Sequence, residues 1–118
     1  MDLADLEEFC GNWKAVTTDI KWGDHLVYSV HGKMFLIVDK SDQHRYATFK
    51  VDPEDFDTMA AQDVFRPAPY LARYNWINME NRDLIRRDEF EELVKESYLQ
   101  VISKMSKKLR GQCENFED

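Results

Sequence analysis

The sequence predicts an α+β fold, with one antiparallel β-sheet and helices packed on one face, in the order α-β-β-β-β-α-β-α. Three observations carry this prediction. Apolar residues recur at helical spacing at both ends of the chain, in "LADLEEFC" and again from Phe90 to Leu109. Short β-branched and aromatic runs follow one another between Val16 and Val51, the first three separated by the glycine-containing turns "WGD" and "HGK". Afterwards a single proline-started helix and one more strand-like run precede the last helix, so the chain lacks the alternation that a parallel βαβ series needs. A length of 118 residues suits one domain, residues 1–118.

The first helix is expected at about residues 2–11. Leu3, Leu6, Phe9, Cys10 and Trp13 form its apolar side, Asp2 can cap it, and Gly11 can end it. "VTTDIKW" reads as a weak strand ending in the turn "WGD". "LVYSV" and "MFLIV", linked by "HGK", read as a hairpin. "MFLIV" is apolar at every position, which fits a central strand shielded on both faces. In "HRYATFKV", Ala47, Phe49 and Val51 share one side, while Tyr46, Thr48 and Lys50 share the other.

Helix two has the clearest start. Asp52 is its N-cap, Pro53 takes the first helical position, and Glu54 and Asp55 lie near the positive end of the helix dipole. Phe56, Met59 and Ala60 make its buried stripe. In "RPAPYLARYNWINM", Pro67 and Pro69 fix their own φ and push Arg66 and Ala68 towards extended backbone. The stretch is therefore a stiff connector, with one loose turn at "YLAR". A strand follows from Tyr74, with Tyr74 and Trp76 on one side and Asn75 and Ile77 on the other. The last helix is expected at about residues 87–109, with Lys107, Lys108 and Arg110 suiting its C-terminal end and Gly111 closing it. Residues 112–118 are expected to fray.

Composition limits the function classes. The net charge is −7, which argues against a general nucleic-acid binder but leaves room for a local basic patch. No apolar run approaches the ~20 residues of a membrane span, and the acidic start "MDLADLEEFC" lacks the basic and apolar regions of a signal peptide. A cytoplasmic, monomeric protein with no membrane contact is the expectation. Cys10 and Cys113 fit two free thiols in a reducing compartment.

Three stretches together resemble the MmcQ/YjbR family of small bacterial proteins: "WGDHLVYSVHGKMFLIVD", "FKVDPEDFDTM", and the proline stretch continued through "SYLQVISKMSKKLR". The likeness runs from Phe9 to Arg110. It departs from the family where a Leu-Pro-Gly-like turn commonly follows helix one and this chain has "NWKAVTTD". The resemblance implies a curved antiparallel sheet backed by helices, similar to the frataxin-like fold. It also implies a DNA-binding label attached to a double-wing arrangement of hairpins.

Residue by residue, a wing tip at His31, Gly32 and Lys33 would offer cations to phosphate, with Lys33 matching the family's hairpin lysine. Arg66 and Arg73 would flank it, with Tyr70 or Tyr74 as a stacking face. The plainer alternative is a solvated lysine, locally paired arginines and core aromatics. Trp22, Tyr28 and Trp76 are likewise either core or an aromatic patch on the face that helices leave open. Lys104, Lys107, Lys108 and Arg110 read mainly as complements to a helix dipole, with the acids Glu114, Glu117 and Asp118 weakening any phosphate field there.

No enzymatic constellation is legible. His25, His31 and His44 are the only histidines, and there is no CxxC, HExxH or glycine-rich phosphate loop. Strand parity puts His25 and His31 on one face but about 20 Å apart, too far to share a metal. The expectation is a non-enzymatic binding module without metal or cofactor. DNA is the candidate ligand, and another protein, bound at a sheet edge or the open face, is the alternative.

Overall fold

A computed structural model of the chain describes residues 1–116. Helix α1 (Leu3–Leu6) runs into a π-helical turn over residues 7–11. Strands β1 (Val16–Lys21), β2 (His25–Val30), β3 (Lys33–Asp39) and β4 (Ala47–Lys50) follow, then helix α2 (Pro53–Ala60). The chain continues through β5 (Arg66–Pro67), β6 (Trp76–Met79), helix α3 (Arg87–Ile102) and helix α4 (Lys107–Arg110). The six strands form one antiparallel sheet in the order β1-β2-β3-β4-β6-β5.

The sheet's two faces differ because strand parity separates two kinds of residue. Tyr28, Val30, Leu36, Val38, Ala47, Phe49, Ile77 and Met79 point towards the helices and meet Phe90, Val94, Tyr98 and Ile102 of α3. A β-bulge, where the register between β2 and β3 shifts at Tyr28 and Ser29, leaves Phe35 without a cross-strand partner. Both Phe35 and Leu36 thereby join the helix side, while Met34 and Ile37 go to the other face. Ser97 of α3 ties the layers: its hydroxyl donates to the Phe35 carbonyl (2.6 Å) and accepts the Lys50 N–H (2.9 Å). The second face carries a smaller cluster, Val27, Ile37, Ala68 and Trp76, with Leu71, Met34 and Tyr46 against it. The proline connector covers it where a helix would otherwise lie.

Several expectations are corrected. The stiff connector does contribute a strand: Arg66 and Pro67 pair with Asn78 and Ile77 at the sheet edge, the one place where proline's missing N–H is harmless. Tyr74 lies in a 3₁₀ turn, and Asn75 is left-handed (φ 67°), so β6 starts at Trp76 and turns Trp76 and Asn78 to the open face. The final helix is two helices, because Ser106 accepts the Leu109 N–H (3.2 Å) and starts α4 anew. The sequence period survived the break because Met105, in the link, still packs on the core.

Residues 112–116 are anchored where fraying was expected. Cys113 is buried, Phe116 packs edge-on against Trp13 and Tyr98, and the Tyr98 hydroxyl accepts the Glu114 N–H (2.8 Å). The rest of that expectation, at residues 117–118, lies outside the described residues. Cys10 and Cys113 are both free thiols and both buried, and burial pushes the Cys10 thiol up to about 12. Among the described residues no helix is long and apolar enough to cross a membrane.

Candidate functional site

The two ends of the sheet treat charge differently. At the end where β2 starts and β3 finishes, arginines are locked to carboxylates. Arg45 donates to Asp42 (2.6 Å), Asp83 (2.8 and 2.9 Å) and Asp2 (3.2 Å), and Arg82, almost fully buried, donates to Asp42 and to the Met1 and Tyr46 carbonyls. Arg87 pairs with Asp5 and Glu91, and Arg86 with Asp88 and Glu89. Asp2 and Asp5 at the start of the first helix are thus partners of arginines. The hydrogen bond from Arg45 holds the Asp83 carboxyl below its usual range, and the His44 backbone N–H does the same for Asp39.

That lattice has a pH signature. Carboxyls whose folded pKa lies below the unfolded value stabilise the fold above the unfolded value, about 4, and lose that contribution as pH falls through the folded one. Urea midpoints should therefore drop on acidification below about pH 4, and Asp83→Asn should flatten that drop. An identical acid limb in the variant would remove Asp83 from the account.

The opposite end collects cations that, among the described residues, form no ion pair. The β2–β3 turn is a two-residue hairpin with both His31 (φ 47°) and Gly32 (φ 77°) left-handed, the type I′ geometry that matches strand twist. His31 Nε2–H donates to the Leu109 carbonyl of α4 (3.2 Å). This left-handed turn swings His31 to the helix side and overrides the parity that placed it on the face of His25. The bond sets Lys33, exposed beside the turn, at the same end of the molecule as Lys107, Lys108 and Arg110.

By register, β4 finishes and β6 starts at this end too. Lys50 Nζ donates to the Tyr74 carbonyl (2.5 Å), and its ammonium pKa is lowered by burial and then by the nearby Lys104. Arg73 lies over the Tyr74 ring at 4.8 Å. Of the carboxylates in this region, Asp52 and Glu114 are committed to backbone amides, of Glu54 and Lys14, while Glu54 and Asp55 in the first turn of α2 are exposed. Glu117 and Asp118, expected to screen the cluster, lie outside the described residues.

Of the site residues expected from sequence, His31, Lys33 and Arg73 therefore share one end. Arg66 and Tyr70 do not. Arg66 is in a row across the open face with Asn78, Thr48 and Ile37, three strand spacings from β3. That places it roughly 18 Å from Lys33. It is locally paired, donating from Nε to Asn78 Oδ1 (2.9 Å) and from Nη1 to Glu80 (2.7 Å).

Arg66 and Tyr70 instead line an open groove of about 840 Å³, together with Trp22, His25, Tyr46 and Leu71. Tyr28 is core on the helix side and Trp76 is core under the connector, whereas Trp22 is 64% exposed and Tyr70 97%. The expected aromatic patch thus reduces to Trp22, with Tyr70 across the groove. Sequence reasoning missed the pairing of His25 with Tyr46, whose hydroxyl sits 2.5 Å from His25 Nδ1, because nothing local signals a contact between strands two apart.

The YjbR family model matches residues 12–100. The chain belongs to the YjbR family. Its fold is shared by the crystal structure of a Deinococcus radiodurans protein with a DUF419 domain, 22% identical, TM-score 0.81, covering 93% of this YjbR chain and 86% of that one. A Pseudomonas syringae protein, 16% identical with a TM-score of 0.66, covers 85% of this chain and 98% of its own. No curated protein matches this YjbR chain significantly. At these identities the two crystal structures speak for the fold alone.

Proposed function

We propose that this YjbR chain is a non-enzymatic module that binds DNA through the phosphate backbone, using the cationic end built from the β2–β3 hairpin, the Arg73 turn and α4. The observation that carries the reading is the bond from His31 to Leu109, which joins the hairpin lysine and the α4 cations into one surface. The paired arginines of the far end support it by contrast, although Lys21 and Lys40 there form no ion pair among the described residues. Arg45 and Arg82 use all three guanidinium nitrogens on carboxylates and carbonyls and have little to offer a phosphate, whereas exposed lysines that form no ion pair among the described residues release counterions on binding. The side chains at this end suit positioning on a backbone, not base readout, so the binding is expected to be weakly sequence-selective. The negative total charge confines contact to this end.

Fluorescence anisotropy with a short duplex tests this. Affinity should fall with salt at a log–log slope of about −3, the value for three or four phosphate contacts. Lys33→Ala, Arg73→Ala and the pair Lys107→Ala/Lys108→Ala should each weaken binding and shallow that slope, while Arg86→Ala at the far end should change neither. Absence of binding at low salt, where the attraction is greatest, would end the proposal. A protein partner would then be the reading left.

A further inference from the structure

The groove on the open sheet face is separate from the cationic end, and its chemistry points to a different ligand. Its floor is apolar, formed by Ile37, Met34 and Ala68. Its rims carry two large, exposed aromatic rings, Trp22 and Tyr70, and both residues hold left-handed backbone (φ 52° and 66°). At Trp22 this is the geometry of the β1–β2 turn, shared with Gly23 (φ 89°), and it holds the ring out at the groove's rim. Among the described residues Arg66 is the one arginine or lysine lining the groove, beside its partner carboxylate Glu80. Arg66 is held by Asn78 and Glu80 through Nε and Nη1, and Asn78 is itself braced by donating to Thr48 Oγ1 (2.8 Å). Both protons on Arg66 Nη2 remain unused among the described residues, on a guanidinium that is already oriented. His25 and Tyr46 add a fixed polar pair on the wall. The volume, about 840 Å³, falls within the range of pockets that take small molecules.

We propose that this groove binds a small planar aromatic molecule bearing a single anionic group. Its ring lies on the apolar floor between Trp22 and Tyr70, and its anion accepts from Nη2 of Arg66. Ring burial supplies most of the affinity, and the Nη2 N–H groups of a guanidinium already fixed by Asn78 and Glu80 orient the anion through charge-assisted hydrogen bonds. Nucleic acid does not suit this surface, because one cation and an apolar floor cannot follow a polyphosphate chain.

Two probes that share a ring system test the idea on the full chain: 1-anilinonaphthalene-8-sulfonate and its uncharged counterpart N-phenyl-1-naphthylamine. The sulfonate should bind saturably at one site per chain, and at least tenfold more tightly than the uncharged probe. Arg66→Gln should abolish that preference while leaving the uncharged probe unaffected. Arg66→Lys, which keeps the charge but loses the Nη2 donor held in place by Asn78 and Glu80, should restore only part of it. Trp22→Ala and Tyr70→Ala should weaken both probes at least fivefold with circular dichroism and melting unchanged, as befits exposed rings. Lys107→Ala/Lys108→Ala should have no effect, which separates this site from the cationic end.

Equal binding of the two probes, loss of sulfonate binding on removing the α4 lysines, or indifference to Trp22→Ala and Tyr70→Ala would each overturn the proposal. So would the absence of saturable binding. None of these results bears on DNA binding at the far surface, so the two readings fail independently.

Discussion

Replacing Arg82 with alanine should lower the unfolding free energy by about 3–5 kcal/mol, the usual range for breaking a buried ion pair from one side. The Arg82 side chain is 1% exposed and its partner Asp42 only 17%. The guanidinium also serves the Met1 and Tyr46 carbonyls, at 3.0 and 3.3 Å. Alanine would leave these acceptors without their donor and a cavity where the stem was packed. Asp42→Asn should also destabilise, because it strips charge from a group that holds both Arg82 and Arg45. The double variant Asp42→Asn/Arg82→Met should recover part of the sum, since a buried pair replaced on both sides is far less costly than one left half-broken. Urea denaturation of the three variants reads this directly. A loss below about 1 kcal/mol for Arg82→Ala would show the pair to behave like an exposed one.

Trp76→Ala should cost a similar amount, about 3–5 kcal/mol, as large aromatic truncations in cores do. Trp76 is 6% exposed and packs with Val27, Ile37 and Ala68 under the proline connector. Its carbonyl also accepts the Ala68 N–H at 3.0 Å, so the ring and the connector support each other. The comparison is Trp22→Ala, which should stay within about 0.5 kcal/mol of wild type because that ring stands mostly in solvent. A near-neutral melt for Trp76→Ala would mean that the connector, not the ring, holds the second face together.

These variants also separate what patterning reveals from what it hides. The helix starting at Asp52-Pro53 formed as read, with Asp52 capping Glu54 N–H at 2.8 Å, because capping chemistry is local. The β2–β3 hairpin was legible for the same reason. The end of the long helix was misread because Met105 keeps the apolar period through a break that Ser106 creates. The strand at Arg66 and Pro67 was missed because two residues carry no period, and only their position at the sheet edge makes pairing possible. The Arg45–Asp42–Arg82 network was invisible, since Arg82 lies 40 residues from Asp42 and each reads as an ordinary surface charge.

For the sites, sequence supplied the inventory and the tertiary structure decided its grouping. Periodicity, caps and turn residues determined an antiparallel sheet with helices on one side, because each of those signals acts within a few residues. They also supplied the hairpin lysine and a connector too stiff for a helix. Which charges stand free was decided only by folding. Carboxylates such as Asp2 and Asp88 meet arginines at one end, and the left-handed turn at His31 carries to the other the lysines of hairpin and helix that form no ion pair among the described residues. Long-range partners cancel or expose a charge, and a one-dimensional pattern does not record who those partners are.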